Sequence, residues 1–253
     1  MAIDEDGFYA PSRLQKVVWS WWEEFWGEFI PKATKGEPFD LLHNGDGVDG
    51  APHHAITGIS QNPSDQLNIA LACLREPVRQ CFDSGGKYYH IRGTEAHVGK
   101  SGSQEEELAK QLGAVKNSAG QHARYEIWYK MGKHLVHCLH HIGTTSSAAH
   151  ESSAVNAELS ALFTESARWG ERRPSVIVRS HRHRAIEIRL PTESGFVTSC
   201  VTPAWQLKTP FAFKIAGARL APPQIGGVLI RLDSDGNPYT QMFVRSIKRD
   251  RPT

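Results

Sequence analysis

Short apolar runs in this sequence end, one after another, in glycine-rich loops that carry His, Asp or Glu. Residues 39–44 lead into Gly45-Asp46-Gly47-Val48-Asp49-Gly50, and residues 87–92 into Gly93-Thr94-Glu95-Ala96-His97. The run 135–140 ends in His140-His141, and 176–178 leads into Arg179-Ser180-His181-Arg182-His183-Arg184. Helical spacing of apolar residues lies between them, over 64–80, 104–112 and 148–169. Strands that alternate with helices build layered α/β sheets, and ligands gather at the carboxyl ends of such strands. The pattern therefore predicts an α/β fold with four ligand-bearing loops.

The remaining pieces fill this frame. Residues 12–29 carry Leu14, Val17, Val18, Trp21, Trp22, Phe25, Trp26 and Phe29 at helical spacing, bracketed by Pro11 and Pro31. The spacing makes this face a packing surface rather than a ligand box. Residues 125–129 and 135–140 read as a hairpin across Met131-Gly132-Lys133. From 185 onward strand-like runs dominate, at 186–190, 196–201, 211–215, 225–232 and 241–247, with turns at Glu193-Ser194-Gly195 and Asp235-Gly236-Asn237-Pro238. The expected second sheet is mostly antiparallel, and residues 1–253 read as one domain without repeats or a long linker.

Composition removes several functional classes. Of the 253 residues 40% are hydrophobic, enough for a sizeable core. The net charge is +2 and the pI about 8.3, so no overall field argues for nucleic acid or membrane. The four cysteines, Cys73, Cys81, Cys138 and Cys200, have no Cys-x-x-Cys spacing and read as reduced, mostly buried thiols. The opening is acidic and polar and no run of apolar residues is long enough to span a bilayer, so the expected compartment is the cytoplasm.

The loop after residue 92 contains Gly99-Lys100-Ser101, which invites comparison with a phosphate cradle. Such a cradle has four residues between its first glycine and the Gly-Lys-Ser, whereas Thr94 to Val98 make five. A carboxylate at Glu95 would also repel the phosphate. Glu and His together suit a cation instead, and the mixture of carboxylate and imidazole favours Mn, Fe or Zn. A carboxylate such as Asp46 can bridge two metals that activate a water and clamp an in-line displacement.

The order of these loops resembles the calcineurin-like metallophosphoesterases, in particular a phage-type branch that carries Arg-Gly-Thr-Glu-Ala-His-Val-Gly and Pro-Ala-Trp-Gln segments. The family's Gly-Asp-x-x-Asp matches Gly45 to Asp49, and its Gly-His-x-His matches Ser180 to His183 apart from the first residue. Its Gly-Asn-His-Asp/Glu corresponds to Gly93 to His97 in altered form, and its lone His to His140 or His141. The resemblance covers about residues 38 to 210. It implies an α/β/β/α sandwich of two mixed sheets flanked by helices, and two divalent ions, with manganese favoured. Asp46 would bridge them, His140 and His181 would bind the second ion, and His183 the first. Thr94 stands where the family has an asparagine ligand and Glu95 where it has a histidine acid. Either Glu95 ligates while His97 protonates the leaving group, or one function is lost. Asn44 and Asp49 would support the ligands, and Arg92 and Arg182 would contact the phosphate. The substrate would be a phosphomonoester or phosphodiester, nucleic acid among the candidates, in a host cytoplasm for a phage-encoded chain.

The family's Asp-x-His signature is missing, since no Asp is followed two residues later by His. The implied domain lacks its first strand, and Asp46 and His183 alone would hold the first ion. This leaves a second reading, a non-catalytic metal-binding remnant, and a third, a nucleotide binder using Lys100. Taken singly, Gly-Asp loops are usually turns, and His53, His54, His90, His122, His134, His137 and His150 read as structural or exposed. Arg179 and Arg184 read as solvated charges or further phosphate contacts, and Trp205 as a core residue. Only the joint order of the loops points beyond these readings.

Overall fold

The computed structural model describes all residues except 1, 4–6, 51–57, 99–101, 144–146, 194, 211, 215–219 and 249–253. It is a mixed α/β protein whose chain divides into two compact units, residues 1–16 with 26–126, and 17–25 with 127–253. Two short strands, β1 (Ala2–Ile3) and β2 (Gly7–Phe8), pair antiparallel at the start.

The aromatic stretch forms helix α1 (Arg13–Glu24), a π-helical turn (Phe25–Phe29) and helix α2 (Ile30–Thr34). Helix therefore runs past Pro31, the expected stop. Pro31 follows closely on the π-helical turn, and Phe29 before it keeps helical backbone (φ −65°, ψ −50°), so the widened turn lies where the missing proline N–H would interrupt the regular bonding. The expected packing face is covered only towards its end. Leu14 is exposed, whereas Phe25 is buried.

In the first unit, β3 (Leu41–Asn44), β4 (Tyr88–Ile91) and β5 (Ala123–Arg124) form a parallel sheet with β4 in the middle. Helix α3 (Pro63–Asp83) starts from Asn62, whose side chain accepts from the Ser64 N–H, and buries Ala70, Leu71, Leu74, Val78 and Cys81 at helical spacing. Tyr88 and Ile91 have no exposed surface, as expected for a central parallel strand. Helices α4 (Glu95–Val98) and α5 (Ser103–Gln111) follow β4, and α4 lies in what the sequence suggests is loop.

The first turn of α5 holds this unit together. Glu105 is fully buried and accepts from the N–H of Gly47 at 2.9 Å and of Gly93 at 2.6 Å, which fastens the loops after β3 and β4. Its neighbour Glu106 accepts from the N–H of His122 and Ala123 at 2.7 and 2.9 Å and pairs with Arg92 at 2.9 Å, which fastens β5. The acidic turn that suits a helix dipole thus serves mainly as a clasp.

The second unit contains β6 (Glu126–Met131), β7 (His134–Leu139), helix α6 (Glu151–Trp169), β8 (Val176–Arg179), β9 (Ile186–Thr192) and β10 (Gly195–Val201). The sheet order is β6-β7-β8-β10-β9. Pairs β7·β8 and β8·β10 are parallel and β9·β10 antiparallel, so this sheet is mixed rather than mostly antiparallel. Only this larger sheet is mixed, since that of the first unit is wholly parallel. Val155, Leu159, Leu162 and Phe163 of α6 pack on Ile177, Val197 and Val201. A separate ribbon pairs β11 (Gln224–Leu232) with β12 (Pro238–Ser246) around the expected turn, where Asp233 Oδ1 accepts from the Asp235 and Asn237 N–H. The strand expected at 211–215 is a turn over 212–214, and its two ends lie outside the described residues. Trp205 packs with Trp22, Phe25 and Phe243.

The four cysteines are free, and burial pushes the Cys81 and Cys138 thiols up to about 11 and 12. Among the described residues no helix is long and apolar enough to cross a membrane.

Removing the clasp strands two backbone donors. Glu105→Ala should cost about 3–5 kcal/mol in urea unfolding, and a loss under about 1 kcal/mol would contradict the role. Burial pushes both carboxyls up, but His90, the Gly47 amide and His43 together outweigh it for Glu105, and the His122 and Ala123 amides, the His122 side chain and Arg92 together for Glu106, leaving both below their ordinary 4.5. A depressed carboxylate stabilises fully above its unfolded value and loses this as pH falls through the folded one. Stability should therefore drop below about pH 4.5, with a smaller drop in Glu106→Gln.

Candidate functional site

Each unit carries part of the expected ligand set at the carboxyl ends of parallel strands. In the first unit Asp46 sits two residues beyond β3 with a left-handed backbone, φ 58°. Its Oδ1 accepts from the Thr94 N–H at 2.8 Å and the Thr94 hydroxyl at 3.2 Å. Gly93 allows this approach, because a Cβ there would lie 2.0 Å from Asp46 Oδ1 and 2.2 Å from Asp46 N. The glycine is required by contact, not by its own φ.

His97, on α4, is held from the other side. Its Nδ1 lies 2.8 Å from the Asp49 carbonyl, which can only accept, so Nδ1 carries the proton. Nε2 is then the atom that can bind a metal or exchange a proton, and it lies 3.9 Å from Asp46 Oδ2. Asp49 thus supports His97 through its backbone, and burial pushes its carboxyl up, with His97 working against that. Glu95 is exposed at the start of α4, while Thr94 is the residue that touches Asp46. Asn44 closes β3, half-buried.

Arg92 is placed unlike a substrate contact. It is 7% exposed, and its two terminal nitrogens donate to the Gly102 carbonyl at 2.7 Å and to Glu106 at 2.9 Å. A phosphate would have to displace both partners.

In the second unit the parallel pair β7 and β8 brings its two loops together, with the Ser180 N–H donating to the His140 carbonyl at 2.9 Å. His140 is 2% exposed, and its ring centroid lies 5.5 Å from that of His181. His141 stands 4.8 Å from His181, so either histidine of the pair is near it. His181 and His183 both take left-handed backbone, φ 60° and 53°, around a tight turn in which the Arg182 N–H donates to the Ser180 carbonyl. Arg182 donates one nitrogen to the Gly143 carbonyl, and burial pulls its pKa down while Glu151 holds it up. Arg184 pairs with Glu151 at 2.9 Å. Arg179 is buried in a structural network, with Glu158 at 2.7 Å and His137 at 3.1 Å.

One histidine read as structural or exposed, His90, lies in the core. His90 is fully buried beside His43, in register on the adjacent strand, with ring centroids 4.6 Å apart. The signal was present in Leu-Leu-His-Asn and Tyr-Tyr-His-Ile, which put His at the same place in two strands that precede loops. His134 is structural as read, bonded to Ser175 and the Gly236 carbonyl. His53, His54 and the Gly99-Lys100-Ser101 turn lie outside the described residues.

A left-handed backbone at a non-glycine residue costs about 1–2 kcal/mol. Because alanine keeps that cost and glycine does not, His181→Gly should be about 1 kcal/mol more stable than His181→Ala in chemical denaturation. Equal stabilities would show that no strain is held there. Comparison with protein-family models and with curated proteins finds no match, so the site is interpreted from its own residues.

Proposed function

We propose that this chain is a metal-dependent hydrolase of phosphoric esters, with Asp46, His140, His181 and His183 as ligands of two divalent ions, manganese favoured over iron or zinc. One observation carries this reading. Among the described residues four non-glycine positions have left-handed backbone, and three of them are Asp46, His181 and His183. Strain of this kind persists where surrounding structure enforces it, which is common in sites that must present a side chain at a fixed angle. The carboxylate and imidazole donor set fits a transition metal.

Bound divalent ions would lower the pKa of a water and neutralise charge on the ester. The chain's own groups do the rest. Asp46 is oriented by two Thr94 bonds, so its second oxygen is directed by the loop rather than by chance. His97, with Nδ1–H held by the Asp49 carbonyl, would protonate the leaving oxygen from Nε2 in its imidazolium form and be left as the neutral Nδ1–H tautomer. Arg182 supplies a guanidinium for the phosphate, since both terminal nitrogens of Arg92 are engaged by the Gly102 carbonyl and Glu106. The order of the Gly-Asp, lone-His and His-x-His loops resembles that of the calcineurin-like metallophosphoesterases, whose α/β/β/α sandwich we propose as the single domain of this chain. A phosphomonoester or phosphodiester, nucleic acid among the candidates, is the substrate class, and the cytoplasm the compartment.

Manganese-dependent hydrolysis of an aryl phosphodiester tests the reading. Asp46→Asn should lower the rate at least about 100-fold, beyond the 10–100-fold usual for residues that only support a ligand. His97→Ala should lower it by about 100-fold or more, most severely with a poor leaving group. A rate unchanged by Asp46→Asn would refute the assignment, and metal binding without any turnover would favour the non-catalytic remnant.

A further inference from the structure

Behind the Asp46 loop, between β3, β4 and α5, lies a second group of metal-ligand atoms that shares no residue with the proposed hydrolytic set. His43, His90 and Glu105 each offer one ligand atom, and these atoms all lie within 4.8 Å of one another. His90 and Glu105 have no exposed surface. His90 Nε2 makes no hydrogen bond, and its nearest carboxylate atom, Glu105 Oε1, is 3.6 Å away. That is too long for a hydrogen bond. It is close to the edge of a metal tetrahedron, since two atoms each about 2.0–2.1 Å from one zinc lie roughly 3.3–3.4 Å apart.

The surroundings suit a cation. The other nitrogen of His90, Nδ1, lies 2.7 Å from the Tyr88 hydroxyl. A ring that donates Nδ1–H to an outer oxygen presents a bare Nε2, the usual arrangement of a ligating histidine. Where the Tyr88 hydroxyl accepts that N–H, the bare Nε2 faces a buried carboxylate across 3.6 Å, an arrangement that a cation between them would stabilise. Both Glu105 oxygens already accept a backbone N–H, so the carboxylate is fixed in place and each oxygen keeps a second lone pair.

We propose that His43, His90 and Glu105 form a buried structural site for a zinc-class divalent ion, which locks the loops after β3 and β4 to α5. Two imidazoles and a carboxylate are a known zinc donor set, and a single water completes four-coordination. The ion would neutralise a carboxylate that has no surface exposure, and would stiffen the backbone that presents Asp46 and Thr94.

The full-length chain, stripped with chelator and titrated with zinc and then cobalt, tests this. Wild type should take up one tight equivalent that Asp46→Asn retains, with cobalt giving the ligand-field bands of four-coordinate geometry. His43→Ala, the mildest variant because His43 is only half-buried, should weaken that equivalent at least about 100-fold. A variant-free check is imidazole nitrogen NMR of wild type, where zinc should shift His90 Nε2 and leave Nδ1 protonated. An unshifted His90 on saturation with zinc, a His90 protonated on both nitrogens, or binding equal in wild type and His43→Ala would overturn the proposal. Loss of this equivalent in Asp46→Asn with retention in His43→Ala would also overturn it, and would leave the hydrolytic reading standing.

Discussion

A carboxylate without exposed surface, Glu105, receives the amides of Gly47 and Gly93, and the first unit is organised around that contact. The two loops it joins are those that carry Asp46 and Thr94. A buried carboxylate is costly unless its oxygens are satisfied, so these bonds cannot be loosened without exposing an uncompensated charge. Asp46 is thereby given a fixed platform. The next contact, Thr94 to Asp46, needs Gly93 to have no side chain. Clasp, close approach and ligand orientation form one chain of dependence.

The second unit reaches a similar result by other means. Its histidines sit where two parallel strands end side by side, and the Ser180 to His140 bond sets their loops in register. A tight turn with two left-handed residues then aims His181 and His183. The backbone strain has no benefit to packing, since these side chains are half-buried rather than core. It is accounted for if both imidazoles must face a common ligand.

The sequence disclosed most of the elements and left hidden several of the contacts that position the candidate site. Spacing located α3, α5 and α6 to within a few residues because each buries one face, and β3, β4, β7 and β8 because their apolar runs stop at glycine or charge. It disclosed the loops that follow these strands for the same reason. It hid Glu105, because an acidic first turn has a sufficient local explanation in the helix dipole, and only the packed loops reveal two amides aimed at it. It hid the commitment of Arg92 because a partner fourteen residues away, Glu106, leaves no local pattern. The run 211–215 misled because a few apolar residues fit a turn as well as a strand. The helix past Pro31 misled because a proline inside a helix can be accommodated by a widened turn before it rather than end it.

The central claim is that ligands far apart in sequence serve the same ions. Manganese anomalous scattering from crystals of the full chain tests this most directly. The account requires ions coordinated by the Asp46 carboxylate and by the His140 and His181 imidazoles together. Ions held by either group without the other, or none at saturating manganese, would contradict it.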